Sequence, residues 1–292
     1  MADRIRLGNA TVTRVEETQF QIPTSLWAST PPEAWQSEAQ LLAPQFWDPE
    51  TDLFRIAVQS WVVQVDGLTI VIDTGVGNGR ARPEKPPLDQ LNTAFLDGLQ
   101  AAGIDRAAVD VVINTHLHPD HVGWNTHSVD GSWAPTFPNA RYLLPQADYR
   151  FFAPDSPNST DEMRTVFDDS IIPVADQTEE YSGDYQLSES VWLRPAPGHT
   201  PGSSVVWLDA GKPAVFVGDL THCPIQIPRP SDACAFDVDA AQATVARKRV
   251  FTEASRRRAA VIPAHYPGHG GATIVARGDR FMVDDWLDLP QV

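Results

Sequence analysis

The stretch Val111-Val112-Ile113-Asn114-Thr115-His116-Leu117-His118-Pro119-Asp120-His121 decides how this chain is read. Val111-Val112-Ile113 is a β-branched apolar run that reads as the body of a buried strand ending at Thr115. Three imidazoles and a carboxylate follow within six residues. Alternation along an extended backbone sends His116 and His118 to the same side. Pro119 then breaks the strand and frees Asp120 and His121 to turn toward a second point. Imidazole together with carboxylate suits zinc and similar first-row divalent ions. Two side chains aimed at one point and two at its neighbour suggest a pair of metals.

Four ligands do not close such a site, and the chain offers more downstream, each past a strand-like segment. Val191-Trp192-Leu193-Arg194 leads into Pro197-Gly198-His199-Thr200-Pro201-Gly202. Ala214-Val215-Phe216-Val217 leads into Gly218-Asp219, and Ala259-Ala260-Val261-Ile262-Pro263 into Ala264-His265-Tyr266-Pro267-Gly268. Strand-end loops are where a rigid sheet can hold ligands that still face solvent.

In this order the motifs resemble the metallo-β-lactamase superfamily, whose signature is a His-x-His-x-Asp-His run followed by a histidine, a bridging aspartate and a last histidine. The resemblance runs from about Ser60 to Gly270, and Gly67-Leu68-Thr69-Ile70-Val71-Ile72-Asp73-Thr74-Gly75 matches the first motif. It implies an α/β fold, an αββα sandwich. It also implies that His116, His118 and His199 hold a first metal, that Asp120, His121 and His265 hold a second, and that Asp219 bridges them. Asp73 would orient ligands through hydrogen bonds. The cofactors implied are two divalent ions, zinc first, with manganese, cobalt or iron as alternatives. Two adjacent dications make a hydroxide nucleophile from a bridging water and polarise a substrate oxygen. Asp120 is the candidate to orient that hydroxide and relay its proton, so no serine or cysteine nucleophile is needed.

The net charge of −16, from 22 basic and 38 acidic side chains, argues against a nucleic-acid substrate. The N-terminus lacks the apolar core of a signal peptide, and no stretch is long and apolar enough to span a bilayer. With only Cys223 and Cys234 present, two unpaired thiols in a reducing cytoplasm are expected. The 292 residues, with no repeat or flexible linker, read as one domain in which residues 17–56 form an aromatic-rich N-terminal extension.

Local signals fill in the map. Leu7 to Glu16 reads as a first strand. Thr30-Pro31-Pro32-Glu33 resembles a capping box that opens a helix through Ala43. Val58 to Val65 and Leu68 to Ile72 form a hairpin around Asp66-Gly67. Leu88, Leu91, Phe95, Leu99 and Ala102 share a helix face that Gly103 ends. Arg141 to Leu144 reads as a strand and Thr160 to Asp169 as a helix. A helix from Val238 to Arg258 carries Ala241, Val245 and Phe251 inward and ends on three arginines that suit its dipole.

Some residues keep two readings. His222, three after Asp219, either contacts substrate as a catalytic residue or is structural. His127 and His269 have no place in the ligand set. Phe20, Trp27, Trp35, Phe46, Trp47 and Phe54 form either a wall over the metal mouth, an arm toward a second copy in a homodimer, or core. Residues from Pro145 to Pro173, with Tyr149, Phe151 and Phe152, are expected to line the substrate pocket.

Asn114-Thr115-His116 through Gly123-Trp124-Asn125, Gly218-Asp219 with His222, and Ala264-His265-Tyr266 resemble the lactonase and methyl parathion hydrolase branch. That resemblance implies a metal-dependent hydrolase cleaving a small, largely apolar ester or lactone, or a phosphotriester. Its partner is then a small molecule, with neither nucleic acid nor membrane involved. Two alternatives remain: a thioester hydrolase of glyoxalase II type, and a metal-bearing binding or sensing protein with vestigial activity. The first calls for a basic patch, for which only Arg80, Arg82 and Arg150 offer themselves.

Overall fold

In the computed structural model, which describes residues 3–290, two β-sheets lie face to face with helices outside each. The first sheet has eight strands. Asp3–Leu7, Ala10–Pro23, Leu53–Val65, Leu68–Ile72, Val111–Ile113, Arg141–Pro145 and Thr178–Tyr181 follow one another across it, and Trp47–Asp48 pairs off the path. The second has seven, in the order Tyr185–Gln186, Val191–Pro195, Ser204–Asp209, Pro213–Gly218, Ala260–Pro263, Ala272–Arg277, Arg280–Trp286.

The strand residues sort by parity. Ile70, Ile72, Val111 and Ile113 point into the space between the sheets, where they meet Leu193, Val206, Leu208, Phe216 and Ile262. Val71 and Val112 point the other way, onto Phe95 and Leu99 of the helix Phe95–Ala101. In the second sheet Val205, Trp207, Val215 and Val261 face Ala246, Val250, Phe251 and Ala254 of the helix Ala240–Arg257. Strands covered on both faces must be apolar throughout, which is why these runs show no polar alternation. The expected αββα sandwich is the fold.

Parallel pairing places the site. Leu68–Ile72, Val111–Ile113 and Arg141–Pro145 run parallel, as do Pro213–Gly218 and Ala260–Pro263. Their carboxyl ends therefore open on one edge, the place where sheets of this kind hold ligands. The hairpin also forms as expected, with Val65 opposite Leu68 and with Asp66 (φ 52°) and Gly67 (φ 76°) both left-handed, as a type I′ turn requires.

Several local expectations fail for tertiary reasons. The first strand is two, broken at Gly8-Asn9, and the second continues to Pro23. Thr30 caps nothing: its hydroxyl donates to Asp232, Pro31 sits at the cap, and two short helices, Pro32–Ser37 and Ala39–Leu42, replace one. Leu88 lies in a 3-10 turn outside the helix Phe95–Ala101. The helix begun at Thr160, whose hydroxyl does cap it by accepting from Met163 N–H, passes into a π turn over Phe167–Ile171. In Ala240–Arg257 the buried face is Ala243, Ala246, Arg247, Val250, Phe251 and Ala254, whereas Val245 is 67% exposed. The expected face is rotated because Arg247 turns inward to carry buried carbonyls.

The aromatic extension is mainly core. Trp27 packs on Trp35 and Phe54 at ring distances of 5.8 and 5.3 Å, and Phe46 on Tyr266 at 5.8 Å. Phe20, Ile22 and Ile56 differ, since they line a pocket that His118, Asp120, His199, Asp219 and His265 also line. Core and wall readings each hold for part of the segment.

Candidate metal centre

All seven candidate ligands converge at the strand-end edge. His116 and His199 present Nε2 and His118 presents Nδ1. The nitrogens of His116 and His199 lie 3.2 and 2.9 Å from that of His118. Asp219 Oδ2 stands 3.6 Å from His116 Nε2 and 3.3 Å from His199 Nε2. The other oxygen, Oδ1, stands 3.2 Å from His121 Nε2 and 3.0 Å from His265 Nε2. Asp120 Oδ2 closes the second group at 3.7 Å from His121 and 3.5 Å from His265. These groups could hold metal ions, with His116, His118, His199 and Asp219 as one set and Asp120, His121 and His265 as the next. Four ligands at about 2.1 Å around a tetrahedral ion lie about 3.4 Å from one another, close to the spacings found.

Outer hydrogen bonds aim the rings. His265 Nδ1 donates to the Ala57 carbonyl (2.8 Å), His121 Nδ1 to Asp73 (2.9 Å) and His199 Nδ1 to Asp237 (3.2 Å). Thr115 Oγ1 donates to Asp73 at 2.8 Å, which leaves its lone pair for His116 Nδ1 at 3.1 Å. With their outer nitrogens so engaged, His116, His121, His199 and His265 can each turn the inner nitrogen's lone pair to a cation at the centre. Two of the inward atoms, His121 Nε2 and Asp219 Oδ1, are buried without a hydrogen-bond partner. Inward lone pairs on buried, unpartnered atoms are what a cation satisfies, so the residues fit divalent metal.

The electrostatics agree. Burial, reinforced for His116 by His121 and for His118 by His199, holds both rings well below the usual imidazole range and therefore neutral. Burial would push His121 down too, but Asp219, Asp73 and Asp120 outweigh it and hold that ring well above its ordinary value. Burial raises the Asp219 carboxyl, yet His121, His265 and His222 bring it well below the carboxylate range. The carboxylates demand positive charge between them.

His222 sits in the same wall. Its Nε2 is 3.1 Å from Asp219 Oδ2, its Nδ1 is buried and unpaired, and its ring stacks on His265 at 5.6 Å and 8°. His127 and His269 lie elsewhere; His269 stacks on Trp286. Cys223 is buried in the core, where burial pushes its thiol well up, and both cysteines are unpaired.

The pocket over the centre has a volume of about 330 Å³. Its walls are Phe20, Ile22, Ile56 and Phe236 together with the segment from Glu84 to Leu88. Residues 145–173 do not line it. Phe152 packs under His118 (5.6 Å) and Tyr149 against Phe167, in a separate apolar cluster. The wall instead comes from a segment anchored by Arg80 and Arg82, both fully buried. Arg82 pairs with Asp169 at 2.8 Å, and Arg80 donates to the carbonyls of Gly123, Thr126 and Asp169. No local signal in the sequence marks residues 84–88 as a wall, nor Asp237 as the partner of His199.

An α/β sandwich with histidines and aspartates gathered from both sheets defines a class of metal-centred proteins. The model of the metallo-β-lactamase superfamily matches residues 54–265, and the chain belongs to that superfamily. Among curated proteins it is 29% identical over 146 residues to N-acyl homoserine lactonase AttM of Agrobacterium fabrum, covering 47% of this chain and 50% of that one. It is 33% identical over 111 residues to the uncharacterized protein YobT of Bacillus subtilis, covering 37% and 44%. The chain thus spans about half the length of the curated relatives it matches. Among solved structures, the dizinc quorum-quenching lactonase AidC, in complex with a product, superposes with a TM-score of 0.79 at 19% identity, over 100% of this chain and 98% of that one. The hydrolase AbOPH gives 0.80 at 22% identity, over 100% and 98%. At such identities the likeness concerns the fold. No helix among the described residues is long and apolar enough to cross a membrane.

Proposed function

We propose that this chain is a dinuclear-metal hydrolase of small, largely apolar esters or lactones, built as one domain with residues 17–56 as an extension woven into it. His116, His118, His199 and Asp219 hold one ion, and Asp120, His121, His265 and Asp219 the other. The observation that carries this reading is the division of Asp219, whose Oδ2 faces His116 and His199 while Oδ1 faces His121 and His265. When bound, the ion pair, most simply zinc, supplies an activated hydroxide near neutral pH and an electrophile for the scissile carbonyl.

The chain's own groups do the rest. A carboxylate oxygen of Asp120, the more open of the two central aspartates, accepts the proton of the attacking water and returns it to the leaving oxygen. His222 holds Asp219 Oδ2 and, from its place in the pocket wall, contacts the substrate. Phe20, Ile22, Ile56, Leu88 and Phe236 exclude water and favour an apolar acyl group. A pocket of about 330 Å³ is at the small end for ligand sites, which favours a compact substrate. The lactonases among the similar proteins support a lactone over a phosphotriester. The thioester alternative loses its basic patch, since Arg80 and Arg82 are fully buried, Arg150 is not in the pocket lining, and Lys85 is the one lysine or arginine there among the described residues.

Turnover of a panel of lactones, aryl esters, phosphotriesters and thioesters tests the proposal. Activity on a lactone or ester should vanish on chelation and return with zinc, manganese or cobalt. Metal-replete protein that turns over nothing in the panel, or that binds a product tightly without turnover, overturns it in favour of a binding or sensing role.

A further inference from the structure

We propose that Asp148 is a positioning residue that fixes the first metal site by pinning together the two loops that supply it. The proposal rests on the ligand assignment above. His116 and His118 come from the first sheet, past Val111–Ile113, and His199 from the second, past Val191–Pro195. Nothing in the covalent chain holds these loops at ligand distance.

Asp148 lies in the first turn of the helix Gln146–Phe152, which follows the strand Arg141–Pro145 paired in parallel with Val111–Ile113. It is fully buried. One carboxylate oxygen, Oδ2, accepts the N–H of Leu117 at 3.1 Å, the residue between His116 and His118. The same oxygen accepts the hydroxyl of Thr200 at 2.8 Å, the residue after His199. The other oxygen accepts the N–H of Gly202 at 2.5 Å. One side chain therefore binds both loops.

The chemistry explains the residue type. All three partners are donors, so the position needs two acceptor oxygens, which a carboxylate has and an amide lacks. A buried acid raised to about 6 by desolvation costs stability, so the position is not one that stability alone would fill with a carboxylate. Gly202 completes the fit, because a Cβ there would stand 2.6 Å from the Asp148 backbone nitrogen and 2.7 Å from its Oδ1. The second set is pinned by other groups, His121 by Asp73 and His265 by the Ala57 carbonyl. Loss of Asp148 should accordingly loosen one ion and spare the other.

The test measures stepwise zinc affinity by competition with a chromophoric chelator, and the visible spectrum of the cobalt-substituted protein, in wild type, Asp148→Asn, Thr200→Val and Thr200→Ser. Wild type that fails to bind two ions would refute the ligand assignment and leave Asp148 without a site to position. Given two ions in wild type, D148N should weaken one by about 10- to 100-fold, the range for lost outer hydrogen bonds at metal sites. It should leave the other within about twofold and alter the spectrum of one cobalt only. T200V should do the same more mildly, and T200S, which keeps the hydroxyl, should restore wild-type behaviour. If D148N does not fold, the Thr200 pair decides. Equal weakening of both ions, or unchanged affinities with only a lowered melting temperature, overturns the proposal.

Discussion

The Nδ1 of His199 lies 3.2 Å from Oδ1 of Asp237, a carboxylate whose side chain is fully buried. The other oxygen accepts the Cys234 N–H at 3.1 Å and stands 3.7 Å from Arg247 Nη2. Arg247 is itself buried and donates to the carbonyls of Leu220, Pro230 and Asp232. A histidine that faces the candidate metal centre on one side thus leans on a charged pair on the other, which fixes its tautomer and ring orientation. Asp237→Ala should lower affinity for the first ion by about 10- to 100-fold and cut turnover at limiting metal. Excess metal should recover most of the turnover. Metal titration of the variant checks this, and unchanged affinity would remove Asp237 from the centre.

Glu17 offers a test by pH. Its buried carboxylate accepts the N–H groups of Val76 and Gly77 and the indole N–H of Trp124, and so holds the loop after Asp73. Burial raises its pKa from 4.5, and these bonds only partly offset that. A raised acid favours the protonated form in the fold, so its stabilisation is fully present below 4.5 and lost as pH climbs through the folded-state value. The stability of wild type minus that of Glu17→Gln should therefore fall as pH rises from about 4 to about 8. Urea midpoints of both proteins across that range measure it, with a flat or rising difference as the contrary result.

Phe20 and Ile56 should set acyl preference. Phe20→Ala removes part of the apolar wall, and one lost methylene-sized contact is worth roughly 1–3 kcal/mol of discrimination. The ratio of kcat/KM for a longer over a shorter acyl substrate should drop about tenfold, mostly through KM, with melting temperature little changed. Tyr149→Ala, by contrast, should lower stability and leave that ratio alone, because Tyr149 packs on Phe167 away from the pocket.

In the proposed two-metal protein, chelation should destabilise the fold, because the candidate ligands come from both sheets. For each ion held at about 1,000 times its Kd, mass action contributes about 4 kcal/mol. Chelated protein should therefore melt at least several degrees lower, and readdition of zinc should reverse the shift. A melting temperature indifferent to chelation would show that the two sheets do not depend on the centre.

Much of this site can be read from local sequence, for a physical reason. Metal ligands must be specific residue types at strand ends, and Ile113 through His121, Gly218-Asp219 and Ala264-His265 each combine a short apolar strand with such a residue. The Asp66-Gly67 turn is legible likewise, because left-handed backbone restricts the choice of residue. Groups that support the ligands are not legible. Glu17, Asp148 and Asp237 are single acidic residues with no motif around them, and these partners lie from 31 to 107 residues away. The Thr30 capping box misled because a buried partner, Asp232, took its hydroxyl from 202 residues away.

By itself, the sequence determined the two-sheet architecture, through apolar runs covered on both faces, and picked out, through residue chemistry at strand ends, the seven candidate ligands that the structure brings together. Only the tertiary structure decided which oxygen of Asp219 serves which set, which carboxylates brace the rings, and which residues wall the pocket. Those relations are set by distances of a few ångströms between segments far apart in the chain, and a linear pattern carries no information about such distances until the two sheets have packed.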